Sequence, residues 1–219
     1  MRSYIFKDDA KKEVAIGKLV CLARSYKKHA EEMHTTTTED PILFLKPASA
    51  VIFNRESIII PKMSKLLNHE VELGVIIGKN CKNVSQKNAL DYVLGYCVAL
   101  DITARDIQDV AKKNGWPWTI AKGFDTFAPI SDVMLRNKIE DPNNLDLTLR
   151  VNGELRQDSN TKFMIYPVER IIEFISSIMT LEEGDLILTG TPEGVGKIVK
   201  GDILEATLGN FCFLKVDVR

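Results

Sequence analysis

Residues 68–79, NHEVELGVIIGK, have the pattern of one buried β-strand with two glutamates near its start. GVIIG is apolar on both faces, as in strands that run through a protein interior. Side chains alternate along a strand, so Glu70 and Glu72 point to one face with their Cα atoms roughly 6–7 Å apart. Two carboxylates at this spacing can hold one cation between them, and without one they would repel each other. The alternative, which a bare E-x-E favours, is a half-solvated strand whose outer face carries Glu twice.

A third acid, Asp101, follows LGYCVAL, another run that is apolar on both faces. Three acids at strand ends predict an all-oxygen site for a hard divalent ion, Mg²⁺ or Mn²⁺. Such a site keeps one net negative charge, so an anionic substrate needs further cations, and Arg105 and Lys122 are the nearest candidates in sequence. The alternative role of Asp101 is to cap the N-terminus of the following helix. Lys122 is expected in an aromatic-rich loop, where its ammonium can assist an oxyanion or is simply solvated.

His29 and Glu32 are three residues apart in YKKHAEEM, a predicted short helix, and therefore share one face. A carboxylate beside an imidazole orients the ring and raises its basicity, as a general base requires. The alternative is a weak ion pair on a surface helix. The other histidines are His34 and His69, and His69 is expected to face away from Glu70 in a regular strand.

The charge balance argues against nucleic-acid and membrane partners. Lys and Arg number 29 against 30 acids, so no long-range field favours polyanions. No apolar run approaches about 18 residues, and the N-terminus lacks the apolar core of a secretory signal. Four dispersed cysteines without a C-x-x-C pair favour a reducing compartment, so the expected location is cytoplasmic.

The strand-rich pattern lacks a regular β-α-β alternation, which predicts an α+β fold, mainly β, with a largely antiparallel or mixed sheet core. Residues 1–16 are expected to form a small N-terminal β-hairpin extension. Asn152-Gly153 predicts a tight hairpin, and Ser85 is expected to cap a helix. TGTPEGVGK, residues 189–197, does not match a phosphate loop because its glycines are one residue too far apart. Its backbone N–H groups can still receive a carboxylate.

Six motifs, in order from about Lys18 to Asp202, closely resemble those of the fumarylacetoacetate hydrolase family. They are ARSYKKHAEEM, LFLKPASA, NHEVELGVIIGK, GYCVALDITARDIQ, PWTIAKGFDTFAPIS and LEEGDLILTGTPEGVG. The match is nearest to the single-domain acylpyruvases and oxaloacetate decarboxylases. It implies a mixed β-sandwich roll over residues 17–219 as the catalytic domain, usually paired into homodimers. Ala23 and Ser25 depart from the G-R-N-Y of many relatives, and the threonine run after residue 34 is unusual.

The resemblance also implies a role for each site residue. The ligands of Mg²⁺ or Mn²⁺ are Glu70, Glu72 and Asp101. The catalytic residues are His29, Glu32, Lys122 and Gln108, with the His–Glu pair on a short lid helix. The contacts to a small keto-acid substrate are Arg24, Arg105 and Thr191, together with Gln108.

The expected reaction is hydrolysis of the C–C bond in a 3-acylpyruvate-type β-diketo acid. His29, oriented by Glu32, would activate water, Lys122 would steady the oxyanion, and pyruvate enolate would leave with its charge neutralised by the metal. The same metal site suits decarboxylation or tautomerisation of oxaloacetate, or isomerisation of a 2-hydroxyhepta-2,4-diene-1,7-dioate. A non-catalytic binding module that keeps this fold is the alternative from another class.

Overall fold

A computed structural model describes residues 2–9, 11–32, 36 and 38–219. His34 and part of the threonine run that follows it lie outside these residues. The strands are β1 (Leu19–Ala23), β2 (Ile42–Lys46), β3 (Val51–Ile52), β4 (Ser57–Ile58), β5 (Leu67–His69), β6 (Val71–Ile77), β7 (Val93–Leu100), β8 (Thr103–Ala104), β9 (Ala128–Pro129), β10 (Met134–Leu135), β11 (Asp146–Val151), β12 (Glu154–Asn160), β13 (Leu186–Leu188), β14 (Gly196–Ile198), β15 (Ile203–Leu208) and β16 (Cys212–Val218). The helices are α1 (Lys27–Glu32), α2 (Gln86–Ala89), α3 (Arg105–Asn114), α4 (Thr119–Lys122) and α5 (Val168–Ile178).

Two mixed sheets dominate the described part of the chain. The larger has the strand order β10-β7-β6-β13-β1-β2, in which β1 and β13 are parallel and the other neighbours antiparallel. The second has the order β12-β11-β15-β16-β4, with β16 and β4 parallel. The predicted fold class, mainly β with mixed sheets, is confirmed. Each helix within the described ranges is too short or too polar to span a membrane.

Strand β6 is covered on both faces, as its apolar run predicts. Leu73 and Val75 point into a core that also contains Leu149 of β11 and Ile171 of α5. Ile76 points the other way, into a second apolar cluster. Every residue of β6 is consequently buried.

The described residues of the N-terminal segment, 2–9 and 11–16, contribute Tyr4, Phe6, Val14 and Ile16 to that second cluster. Tyr4 N–H donates to the Val14 carbonyl at 3.0 Å, and Ile16 N–H donates to the Arg2 carbonyl at 3.0 Å. The two ends of this segment pair antiparallel, as in a hairpin. They do so through isolated bridges, such as that between Ser3 and Ala15, and do not form two continuous strands. The predicted domain division after residue 16 stays a prediction.

The long strand expected over residues 68–79 is interrupted at Glu70, where the prediction of one regular strand is wrong. Before Glu70, β5 pairs with β14 and β8; after it, β6 pairs with β13 and β7. The chain thus changes partners at this residue. The Glu70 carbonyl accepts a hydrogen bond from Asp101 N–H at 2.8 Å, which ties the break to the end of β7.

Two turn-level predictions had different outcomes. Asn152 and Gly153 both adopt left-handed backbone angles, φ 53° and 83°, and connect β11 to β12 as a two-residue hairpin turn. Ser85 precedes α2, but its side chain makes no capping hydrogen bond. The Ser85 carbonyl instead accepts the N–H of Asn88 at 3.0 Å, the donor that a capping side chain normally takes.

Replacing Leu149 by Ala should destabilise the protein by about 2–5 kcal/mol because the side chain is fully buried between the sheets. Urea unfolding measures this loss. Leu155→Ala on the neighbouring strand is the matched control, since Leu155 is 45% exposed, and its effect should stay within about 0.5 kcal/mol. Equal losses in the two variants would contradict this assignment of the core.

Candidate metal centre and active-site cleft

Glu70, Glu72 and Asp101 form a compact cluster of acids. One carboxylate oxygen from each lies within 4.8 Å of the others, and all three residues are buried. Glu72 lies in β6, Glu70 at the break before it, and Asp101 directly after β7. Because β6 and β7 are antiparallel neighbours, the start of one meets the end of the other. The fold therefore brings together the three acids that were predicted as metal ligands.

No cationic side chain in the described part of the chain is in hydrogen-bond contact with Glu72. Burial raises the pKa of Glu72 well above its ordinary value, and the charges of Asp101 and Glu70 raise it further. Its Oε2 accepts the backbone N–H of Gly190 at 2.6 Å. Gly190 has φ 90°, and a Cβ there would lie 2.0 Å from Ser25 Oγ, so a larger residue would disturb this contact.

Glu70 is held charged by two cations. Lys122 Nζ donates to Glu70 Oε2 at 2.9 Å, and Arg105 donates to Oε1. Burial opposes the charge of Glu70, but Lys122 and Arg105 lower its pKa well below the ordinary value. Burial also opposes the charge of Lys122, yet Asp101 and Glu70 raise the pKa of Lys122 on balance. Both members of this pair are therefore ionised.

Lys46 is a site residue that the sequence analysis missed. It is 1% exposed, and its ammonium donates to the carbonyls of Ile102, Lys122 and Phe127 at 3.0, 2.6 and 2.9 Å. Nζ also lies 2.7 Å from Asp101 Oδ1. The available signal was a single charge at the end of the otherwise apolar strand ILFLK.

The donor set fits a hard divalent cation. All three side chains offer carboxylate oxygens, which Mg²⁺ and Mn²⁺ prefer. Asp101 Oδ1 is buried and accepts no hydrogen bond from the described residues, although Lys46 is close to it. A lone pair of that oxygen is thus available to an ion. Glu72, buried without a partner cation, is the second ligand whose charge an ion would stabilise.

His29 and Glu32 lie side by side on α1. His29 Nδ1 is 3.3 Å from Glu32 Oε2. Both oxygens of Glu32 lie 3.2 Å from the backbone N of Gly194, which donates to them. The loop over residues 189–197 therefore receives two of the protein's own carboxylates, Glu72 and Glu32. This contact docks α1 against the loop.

One cleft contains seven of the ten predicted site residues. Its lining includes Arg24, His29, Glu70, Arg105, Gln108, Lys122 and Thr191. Glu32, Glu72 and Asp101 are not part of the lining. Five further residues line the cleft: Leu22, Ala23, Phe44, Lys112 and Trp118. Lys112 and the two aromatic residues were given no role from the sequence.

Several lining side chains have defined partners. Arg24 has a left-handed backbone, φ 59°, a strained conformation for a residue with a side chain, and donates to the Thr36 carbonyl at 3.4 Å. Gln108 Oε1 accepts a hydrogen bond from Arg105, which leaves the Gln108 amide NH₂ as a donor. Thr191 Oγ1 donates to the Val71 carbonyl at 2.9 Å.

The alternative role of Asp101 is excluded, and the local prediction for Lys122 was wrong. Asp101 is not a helix cap, because the chain forms β8 before α3 begins and Ala104 takes the cap position. Lys122 is not in a loop but at the end of α4, where its N–H donates to the Trp118 carbonyl at 3.0 Å. Its side chain is buried, so the solvated alternative is excluded.

His69 is not a lining residue of the cleft. Its Nδ1 lies 3.0 Å from Gln157 Oε1, and burial lowers the pKa of His69. Gln157 also donates to Thr191 Oγ1 at 2.8 Å, so it links β5 to the loop after β13. Gln157, like Lys46, contacts residues that are distant in the sequence, so only the fold reveals its role.

Replacing Glu72 by Gln removes one buried charge from the acid cluster at constant size. We expect the metal-free variant to melt no lower than the wild type, because the repulsion is relieved. The variant should lose most of the stabilisation by Mg²⁺ or Mn²⁺, which for a bound ion is about 2.7 kcal/mol at one hundred times Kd. Melting curves in EDTA, Mg²⁺ and Mn²⁺ measure both effects.

The matched control for Glu72→Gln is Glu205→Gln, an acid paired with Lys215 at the protein surface. It should respond to the metals as the wild type does. Undiminished metal stabilisation of Glu72→Gln would exclude Glu72 as a ligand.

Comparison with known proteins is consistent across sequence and structure. Residues 18–219 match the family described as fumarylacetoacetate (FAA) hydrolase C-terminal. The Homo sapiens protein named oxaloacetate tautomerase FAHD1, mitochondrial, is 48% identical over 188 residues, 86% of this chain and 85% of that protein. A Pseudomonas aeruginosa fumarylpyruvate hydrolase, solved in complex with Mn²⁺ and pyruvate, has a TM-score of 0.95 at 32% identity, with 99% of this chain and 95% of that chain covered.

Another similar structure is that of 2-hydroxyhepta-2,4-diene-1,7-dioate isomerase from Mycobacterium marinum. Its TM-score is 0.83 at 39% identity, with 94% of this chain and 75% of that chain covered. The family model covers nearly the whole chain, and the relatives are named as enzymes. This chain therefore belongs to the fumarylacetoacetate hydrolase family and is one of its enzymes.

Proposed function

We propose that this enzyme is a divalent-metal-dependent hydrolase that cleaves the C–C bond of 3-acylpyruvate-type β-diketo acids. The observation that carries the proposal is the His29–Glu32 pair, 3.3 Å apart, with His29 lining the same cleft as Glu70 and Lys122. Hydrolysis needs a base that takes a proton from water beside the site where the substrate is polarised.

We assign Glu70, Glu72 and Asp101 as the ligands of Mg²⁺ or Mn²⁺. Such an ion, when bound, supplies Lewis-acid charge that stabilises the enolate of a 2-oxo acid. Lys46 and Lys122 hold Asp101 from two sides, so its carboxylate keeps one orientation. The homodimer, the cytoplasmic location and the choice between the two metals remain predictions.

His29 is assigned as the general base. Glu32 accepts the hydrogen bond of the Nδ1–H, which leaves Nε2 of His29 unprotonated and able to accept a proton. The backbone N–H of Gly194 also donates to Glu32 and helps to fix its carboxylate. Nε2 takes a proton from water, the hydroxide adds to the distal carbonyl carbon, and the C–C bond breaks with its electron pair on the pyruvate fragment. That fragment is then protonated at carbon.

The oxyanion formed on the attacked carbonyl requires hydrogen-bond donors that stabilise its charge. Lys122 uses its ammonium on Glu70 and Asp101, and its third N–H remains for this oxygen. The Gln108 amide is a second donor. Arg24 and Arg105 are assigned to the substrate carboxylate. Thr191 has already donated its hydroxyl hydrogen to the Val71 carbonyl, so it meets a substrate through its methyl group or oxygen lone pairs.

Tautomerisation of oxaloacetate is the second candidate. The human relative with that name is 48% identical over most of both chains. The reaction moves a proton between C3 and the oxygen on C2. His29 can carry this proton, and no water molecule has to attack the substrate. Turnover of acetylpyruvate, fumarylpyruvate and oxaloacetate by purified protein with each metal decides between the two.

Replacing His29 by Ala should reduce kcat for acetylpyruvate hydrolysis by about 10²–10⁴-fold, because the base is lost. Metal stabilisation of the fold should persist, since His29 is not among the three acids. Steady-state kinetics and metal-dependent melting measure the two effects.

Glu32→Gln, which disturbs the contact to His29, should also slow the reaction. Glu31→Gln is its matched control, since Glu31 is exposed on the same helix and does not line the cleft. Wild-type turnover by His29→Ala would contradict the assigned base.

A further inference from the structure

We propose that Lys112 forms a subsite for a second carboxylate, so that the preferred substrates are dicarboxylates that carry a 2-oxo acid group. The inference rests on the proposed function and specifies the substrate class. It concerns the end of the substrate away from the bond that breaks. Lys112 is a specificity residue in this account and takes no part in the chemistry.

Lys112 lies in the cleft because of its position on α3. Arg105, Gln108 and Lys112 follow each other at three- and four-residue intervals and therefore share one helix face. All three line the cleft. Arg105 is buried against Glu70, whereas Lys112 lies about 10 Å further along the helix axis, seven residues at 1.5 Å each, and is exposed. Lys112 thus marks the outer end of the same cleft.

No carboxylate of the described residues forms a salt bridge with the Lys112 ammonium, although the more distant charges of Asp109 and Glu70 act on it. Its contact is the ring of Trp118, whose centroid is 5.8 Å from Nζ. Trp118 in turn packs against Phe44, another lining residue. Arg105 and Lys122, in contrast, already contact the acid cluster. The charge of Lys112 is therefore available to an anion in the cleft.

The surroundings of Lys112 disfavour an unpaired charge. Although Lys112 is exposed as a residue, partial burial of its ammonium lowers its pKa, and the charge of Arg105 lowers it further, against the opposing charges of Asp109 and Glu70. A carboxylate bound beside the ammonium would offset both effects. A neutral acyl chain would leave the ammonium unpaired, so the cleft discriminates between two otherwise similar substrates.

Fumarylpyruvate and acetylpyruvate test this directly, because the same bond breaks in both and only the former has a second carboxylate. In Lys112→Gln, the ratio of kcat/KM for fumarylpyruvate to that for acetylpyruvate should fall about 10- to 100-fold, as expected for one lost hydrogen bond to a charged group. The change should reside mainly in KM. Lys112→Arg should restore most of the ratio.

Lys113→Gln is the matched control, since Lys113 is exposed next to Lys112 and does not line the cleft. It should leave the substrate ratio unchanged. An unaltered ratio in Lys112→Gln, or an equal fall in Lys113→Gln, would overturn the subsite.

Binding without turnover separates this inference from the proposed hydrolysis. Calorimetry with Mg²⁺ should show that Lys112→Gln weakens binding of 2-oxoglutarate, which has a second carboxylate, relative to pyruvate. If the wild type hydrolyses neither test substrate but this binding difference appears, the proposed function fails and the subsite stands. Equal wild-type affinities for 2-oxoglutarate and pyruvate would overturn the subsite even if hydrolysis is observed.

Discussion

Repulsion among three buried carboxylates is the constraint around which this site is built. Glu70, Glu72 and Asp101 offer oxygens within 4.8 Å of one another in a part of the fold with little access to water. Glu70 and Asp101 are neutralised by Lys46, Lys122 and Arg105, which come from β2, α4 and α3. Among the described residues, the hydrogen bond shown to Glu72 comes from a backbone N–H, that of Gly190. We propose that a cation shared by all three acids completes this arrangement.

The sheet geometry and the acid cluster depend on each other. The change of strand partners at Glu70 places that residue beside the end of β7, where Asp101 follows. Glu32 reaches the loop after β13 through Gly194, and Gly190 of the same loop donates to Glu72. One loop thus contacts both Glu72, a proposed metal ligand, and Glu32, which is proposed to orient His29. A shift of this loop would change the two halves of the site together.

Patterns that are local in the chain were predictable from the sequence, and contacts between distant residues were not. The apolar run of β6, the Asn152-Gly153 turn and the acids at strand ends each have a signature within a few residues. The break at Glu70 has none, because it depends on β13 and β14, which follow more than one hundred residues later. Lys46 was missed for the same reason, since its partners are carbonyls that only the fold brings near. Lys122 was a candidate from the sequence, but only the motif resemblance favoured a catalytic role over a solvated lysine.

Anomalous diffraction from crystals soaked in Mn²⁺ tests the shared cation most directly. The account predicts one strong peak within coordinating distance of an oxygen from each of Glu70, Glu72 and Asp101. A crystal in which the three carboxylates remain bound only to lysine, arginine and backbone groups at saturating Mn²⁺ would contradict it, as would a metal held by other residues.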